Sequence, residues 1–174
     1  MKPKKIVLLA LLVAMGAVLH AVIPGVFFGM KPDMMLTMMF LGILLFPDTK
    51  SVFLLGVTTG VISAMTTSFP AGQIPNIVDK FVTAFVFYGL VLLVKNISKT
   101  YVKTLVLTAI GTLVSGSVFL GTAMLIAQLP GGATFLAMFS VVVLPTILVN
   151  TIVMAIVYPI AMKLFVRMKS EDKH

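Results

Sequence analysis

Almost every basic residue of this chain stands at one end of an apolar run, and taken run by run it is always the same end. If each run crosses a membrane once, all but two of the thirteen Lys and Arg residues fall on one face. Retention of positive charge on the cytoplasmic side orients membrane proteins in this way. The exceptions are Lys31, close to Asp33, and Lys80, beside Asp79. Those four charges are not needed for orientation, so they are the first place to look for function.

Composition supports the same reading. Hydrophobic residues make up 60% of the chain and charged ones 10%, with a mean hydropathy of +1.17. An ordinary soluble domain is far more polar. A bilayer core of about 30 Å takes about 20 apolar residues per helix, so one compact bundle of six helices uses the whole 174 residues. The expected fold is all-α and polytopic, a single integral membrane domain over 1–174 with both termini cytoplasmic. The helices are expected at about 6–23, 34–46, 51–69, 76–94, 104–129 and 134–162. The basic start and first apolar run imitate a signal peptide. The run is long and no convincing small-residue cleavage site follows, so it reads as a retained helix.

The second run has only thirteen residues, about 20 Å of helix at 1.5 Å per residue. That is too short to cross lipid unaided. Either the bilayer thins there, or the charged outer end of the helix sits in a protein-lined recess.

Several function classes are excluded. The net charge of +8 is spread singly at the ends of apolar runs, which argues for membrane orientation and against nucleic acid. There is no Cys, hence no thiolate metal site and no Cys nucleophile. His20 has no second His at its membrane depth, so no metal is expected, and no other cofactor is implied. No phosphate-binding loop occurs, and three Asp residues before the tail cannot form a carboxylate proton relay. The chain therefore reads as a non-enzyme whose transport, if concentrative, draws energy from a partner.

Helical spacing brings Asn76, Asp79, Lys80, Thr83 and Phe87 to one face of the fourth helix. A charge at the bilayer centre costs about 2.5–3.5 kcal/mol on insertion scales, so Asp79 and Lys80 are expected near the outer end, facing protein or water. They either pair structurally or bind the two ionic ends of a zwitterion, with Gln73 and Asn76 adding neutral hydrogen-bonding groups. Asn150, five residues after the helix-breaking Pro145, either bonds a neighbouring helix or reaches a ligand. Phe27, Phe28 and the methionines at 30, 34, 35, 38 and 39 either fill the core or enclose a flat aromatic ligand. Ala10, Ala14, Ala17 and Ala21 form a small-residue stripe on the first helix. Such a stripe permits close helix approach, either within the bundle or by a partner. For Gly56-x-x-x-Gly60 on the third helix, packing inside the bundle is expected.

The segments Lys31-Pro32-Asp33-Met34-Met35, Phe69-Pro70-Ala71-Gly72-Gln73-Ile74-Pro75-Asn76 with Asp79-Lys80, Leu129-Pro130-Gly131-Gly132, and Leu144-Pro145 with Asn150-Thr151 resemble the tryptophan transporter family. The likeness runs through essentially the whole chain, in order. It implies the substrate-binding S component of an energy-coupling factor (ECF) importer. Such a component binds its substrate from outside, partners a transmembrane coupling subunit and two cytoplasmic ATPases, and topples in the membrane to release substrate inside. It also implies docking through an A-x-x-x-A motif, which falls on Ala10 and Ala14 with Ala17 and Ala21 extending it.

The substrate-site residues expected on this combined reading are His20, Phe27, Phe28, Lys31, Asp33, Gln73, Asn76, Asp79, Lys80 and Asn150, with tryptophan as ligand. Lys31 or Lys80 would meet the carboxylate, and Asp33 or Asp79 the ammonium. Replacing Lys80 or Asp79 by Ala is expected to weaken binding and leave the protein folded. The alternatives are an S component for another aromatic or indole-like nutrient, a membrane subunit without its own ligand, and an intramembrane enzyme using His20 or Asp79 as base.

Overall fold

The computed structural model describes residues 1, 3–22, 33–96, 100–126 and 129–171, and these are helical apart from short turns. The helices are α1 (Pro3–Val22), α2 (Met34–Leu45), α3 (Thr49–Met65), α4 (Gln73–Leu93) and α5 (Thr100–Ile126). A 3₁₀ turn (Pro130–Gly132) then leads into a last helical column. The column consists of α6 (Phe135–Met138), one π-helical stretch (Phe139–Val143) and α7 (Leu144–Glu171). Gly131 and Gly132 take left-handed φ angles of 67° and 70°, which a residue with a Cβ adopts only at a cost. They let the chain reverse between α5 and α6.

The helix α1, the helix α4, the helix α5 and the column Phe135–Met168 are each long and apolar enough to cross a membrane. The helices α2 and α3 are apolar but shorter, at 12 and 17 residues. The shortness of α2 has a physical answer in its surroundings. Every residue from Met34 to Ile43 is buried, and α2 touches α1, α3, α4, α5 and α7. A helix that is apolar on all sides belongs in a core. Encased by its neighbours, α2 need not match the thickness of lipid, and its N-terminal end opens on a recess in the protein. The four methionines Met34, Met35, Met38 and Met39 are core residues of this central helix.

Gly56 and Gly60 work as expected. A Cβ on Gly56 would lie 3.2 Å from the Cβ of Ala84, and one on Gly60 would lie 3.3 Å from the Cα of Ile77. The backbones of α3 and α4 meet at these positions, and this is the most extensive helix–helix contact of the bundle. Small residues allow such proximity, and dispersion supplies the attraction.

The π-helical stretch sits immediately before Pro145. Proline cannot donate to the carbonyl four residues earlier and its ring collides with it. Here the helix widens instead of breaking: the Leu144 N–H donates to the Phe139 carbonyl, five residues back. The expected helix limits agree with the structure to within about four residues, apart from the end of the last helix. That helix continues to Glu171, nine residues beyond the expected stop at 162, because Lys163 and Arg167 leave the apolar run without leaving the helix.

Candidate functional site

The ends of α1, α2, α3, α4, α5 and the last column surround a cavity of about 400 Å³, within the range of about 300–1,000 Å³ typical of small-molecule pockets. Its walls differ in character. One carries His20 from α1, Asp33 from the start of α2, Ser63 from α3, Thr67 and Ser68 from the following turn, and Asn76, Asp79 and Lys80 from α4. The other is more apolar, with Phe69, Gly116, Phe119, Leu120, Val142 and Val143 beside the hydroxyls of Thr112, Ser115 and Thr146. Phe69 and Phe119 meet edge to face with ring centroids 5.1 Å apart. Phe69 is held in the turn by its carbonyl, which accepts the Gly72 N–H at 2.9 Å. Ala71, inside that turn, takes a left-handed φ of 54°.

The charged cluster is closely arranged. The Lys80 ammonium donates to Asp33 Oδ2 at 2.7 Å and to Asp79 Oδ2 at 2.6 Å. The hydroxyl of Thr83 donates to Asp79 Oδ1 and that of Ser115 to Asp79 Oδ2, both at 2.9 Å. Asp33 Oδ1 caps α2 by accepting the Leu36 N–H at 2.9 Å. With all three ionised, one lysine faces two carboxylates, so the cluster carries one negative charge in excess. The side chains of Lys80 and Asp79 are 2% and 1% exposed and that of Asp33 is 25% exposed. Asp33 is thus the member that a molecule in the cavity can reach.

Asn150 does not line the cavity. It is wholly buried, accepts the Asp33 backbone N–H at 2.9 Å and extends its amide towards Thr112 Oγ1 at 3.5 Å. It is a brace that fixes Asp33 between α5 and α7. Gln73 is exposed on the first turn of α4, outside the cavity lining. Asn76 lines the cavity, but its amide N–H is committed to the Gly72 carbonyl at 2.8 Å. His20, Asp33, Asp79 and Lys80 line the same cavity. Phe27, Phe28 and Lys31 lie outside the described residues. Among the described residues no group of His, Asp and Glu could hold a metal ion.

The sequence reading missed Ser63, Thr67, Phe69, Ser115 and Phe119. A signal for the α5 wall was present: Thr104, Thr108, Thr112 and Ser115 recur at helical spacing in an otherwise apolar run, and all are buried.

The four alanines of α1 are exposed or half-buried. Ala10, Ala14 and Ala21 are exposed and Ala17 is half-buried, whereas Leu9, Val13 and Gly16 face the core. Ala17 packs in part against the core, and Ala10, Ala14 and Ala21 are left exposed among the described residues.

The family profile described as "Tryptophan transporter TrpP" matches residues 2–166. A "Probable tryptophan transport protein" of Bacillus subtilis (strain 168) is 58% identical over 160 residues, covering 92% of this chain and 91% of the relative. Proteins of the same description from Clostridium acetobutylicum and Clostridium perfringens are 41% and 37% identical, over 91% and 92% of each chain respectively. No solved structure matches the chain at a significant level. Apolar spans, a pocket with paired charges and a match over nearly all of its length agree on one assignment: the chain is a multi-pass membrane protein that belongs to the tryptophan transporter family.

Proposed function

We propose that this protein is the tryptophan-binding S component of an ECF-type importer, with six spans and both termini in the cytoplasm. The observation that carries the proposal is a cavity with an acidic cluster on one wall and aromatic rings on the other, in a chain of this family. Asp33, the accessible carboxylate, receives the substrate's ammonium. Lys80, itself anchored by Asp79, holds Asp33 in place and compensates part of its charge until the ligand arrives. Phe69, Phe119, Leu120 and the valines of the last column enclose the indole. Burial of the ring contributes at about 25 cal/mol per Å² of apolar area, and an unpaired substrate charge in the same pocket would cancel much of that gain.

The outward alanines support the other half of the proposal. Ala10, Ala14, Ala17 and Ala21 offer a transmembrane coupling subunit a strip on which its helices can approach closely. Two cytoplasmic ATPases bound to that subunit supply the energy. Release inside follows when the S component topples and the cavity leaves the outer face.

The chain contains no Trp, so the fluorescence of added tryptophan can be followed directly on the purified protein. Saturable binding, lost in Asp33→Ala, is the expected result. Tryptophan that fails to bind refutes the substrate assignment, and tryptophan that binds Asp33→Ala as well as wild type refutes the role given to Asp33. Co-purification with a coupling subunit and ATPases, abolished by Ala14→Leu, tests the partner assignment separately.

A further inference from the structure

We propose that His20 and Ser63 form the receptor for the carboxylate of the bound amino acid, in the role that sequence alone gives to a lysine. The inference rests on the amino-acid substrate proposed above and adds which groups read its acidic end.

Among the described residues, two buried side-chain polar atoms lack a hydrogen-bond partner: His20 Nδ1 and Ser63 Oγ. Both belong to residues that line the same cavity. Folded proteins rarely leave buried polar atoms unpaired, and an exception calls for an explanation such as a missing ligand. Ser63 is also an exception within its own helix. Thr58 and Thr59 of α3 satisfy their hydroxyls on the carbonyls of Leu54 and Leu55, one turn back. Ser63 has the same recourse available and does not use it.

Charge placement identifies the partner. Lys80, the cation of the cavity wall, is shared between Asp33 and Asp79. A ligand ammonium at Asp33 leaves the carboxylate on the same carbon close by, still on the polar wall, while the apolar wall takes the side chain. That carboxylate needs hydrogen-bond donors other than the committed lysine. A serine hydroxyl donates, and a histidine Nδ1 donates in one neutral tautomer and in the imidazolium. The two orphaned atoms come from α1 and α3, so a ligand that bridges them also ties those helices together at the cavity.

Tryptamine, which is tryptophan without its carboxylate, provides the test. Binding of both compounds is followed by their indole fluorescence on wild type, His20→Ala and Ser63→Ala. Wild type is expected to prefer tryptophan by at least about tenfold, since a site built to hydrogen-bond a group rejects analogues that lack it. Each variant should weaken tryptophan while changing tryptamine less than about twofold, so the preference collapses. Tryptamine binding reports that the variant is folded, and Ser63→Ala, the smaller change, decides the matter if His20→Ala binds neither. Equal weakening of both ligands, or an unchanged preference, overturns the inference and leaves the tryptophan assignment standing. Wild-type protein that binds tryptamine but no tryptophan overturns both.

Discussion

The two ends of α2 carry the same device in opposite surroundings. Asp33 precedes the helix, caps it through the Leu36 N–H and pairs with Lys80. Asp48 follows the helix, caps α3 through the Ser51 N–H at 3.2 Å and pairs with Lys5 of α1. At the Asp48 end the lysine and aspartate side chains are 22% and 43% exposed, so water shares the work. At the Asp33 end Lys80 is 2% exposed and a second carboxylate, Asp79, is packed against it. Capping a helix and crossing between helices require one aspartate and one lysine, as the Asp48 end demonstrates. The additional buried carboxylate is an expense that neither task requires, and it is the feature on which the proposed ligand site rests.

The comparison breaks most visibly at Lys80. Lys80→Met removes the cation shared by the buried Asp79 and the partly exposed Asp33 and leaves the two carboxylates facing each other. Breaking a buried ion pair from one side costs about 3–5 kcal/mol, whereas an exposed pair is worth about 0–1 kcal/mol. Lys80→Met should therefore lower the thermal unfolding midpoint in detergent severely and abolish tryptophan binding. Lys5→Met should do neither. The sequence-level expectation that Lys80 could be truncated with the fold intact changes once its burial is known. Equal melting temperatures for the two variants would dissolve the distinction drawn here.

A smaller effect is expected where the backbone positions the cluster. A Cβ on Gly60 would stand 3.3 Å from both the Cα and the carbonyl oxygen of Ile77 and 3.5 Å from the Cβ of Lys80. Backbone cannot rotate away as a side chain can, so Gly60→Val should force α4 outward and carry Lys80 with it. Overpacking of this kind costs about 1–3 kcal/mol. Gly121 is the control, because nothing lies within 4 Å of its missing Cβ. Gly121→Ala should melt at or slightly above the wild-type temperature, since Ala favours helix over Gly. Tryptophan affinity should fall in the Gly60 variant alone.

What could be read from sequence follows from how each residue solves its own problem. Apolar runs and basic turns have one economical solution in a bilayer, so the helices were recoverable to within a few residues. Asp79 and Lys80 were legible for the same reason: charges in an apolar run demand an account. Hydroxyls are different. Thr108 and Ser117 bond carbonyls of their own helix and need no neighbour, while Ser115 on the same helix reaches Asp79. Their sequence contexts are alike, and only tertiary structure separates a self-satisfied hydroxyl from one that builds a site. Phe69 and Phe119 were hidden similarly, since an aromatic ring in a membrane helix is unremarkable until its partner is known. Asn150 fell between these cases: its polarity was conspicuous, but its partner, the backbone of Asp33, could not be inferred from spacing.

The mildest test isolates charge at the exposed end. Asn is as good a helix cap as Asp, so Asp48→Asn keeps the cap on α3 and removes the ionic contact with Lys5 and the bond that Oδ2 accepts from the Ser51 hydroxyl. Desolvation opposes ionisation of Asp48, but hydrogen bonds from Lys5 and Ser51 outweigh it and hold the carboxyl below its ordinary value of 3.8. A carboxyl whose value is lower in the folded state stabilises the fold above its unfolded value and loses that contribution as pH falls through its folded one. At pH 7 the wild type should therefore melt slightly above Asp48→Asn, by less than the equivalent of about 1 kcal/mol given the exposure of the pair. Below pH 3.8 the gap should narrow towards zero, and added salt at pH 7 should narrow it too. Both proteins keep the buried cluster, so any change there with pH cancels in the difference. A gap as wide as that of the Lys80 variant, or one that widens in acid, would mean that the two ends of α2 are not the exposed and buried versions of one device.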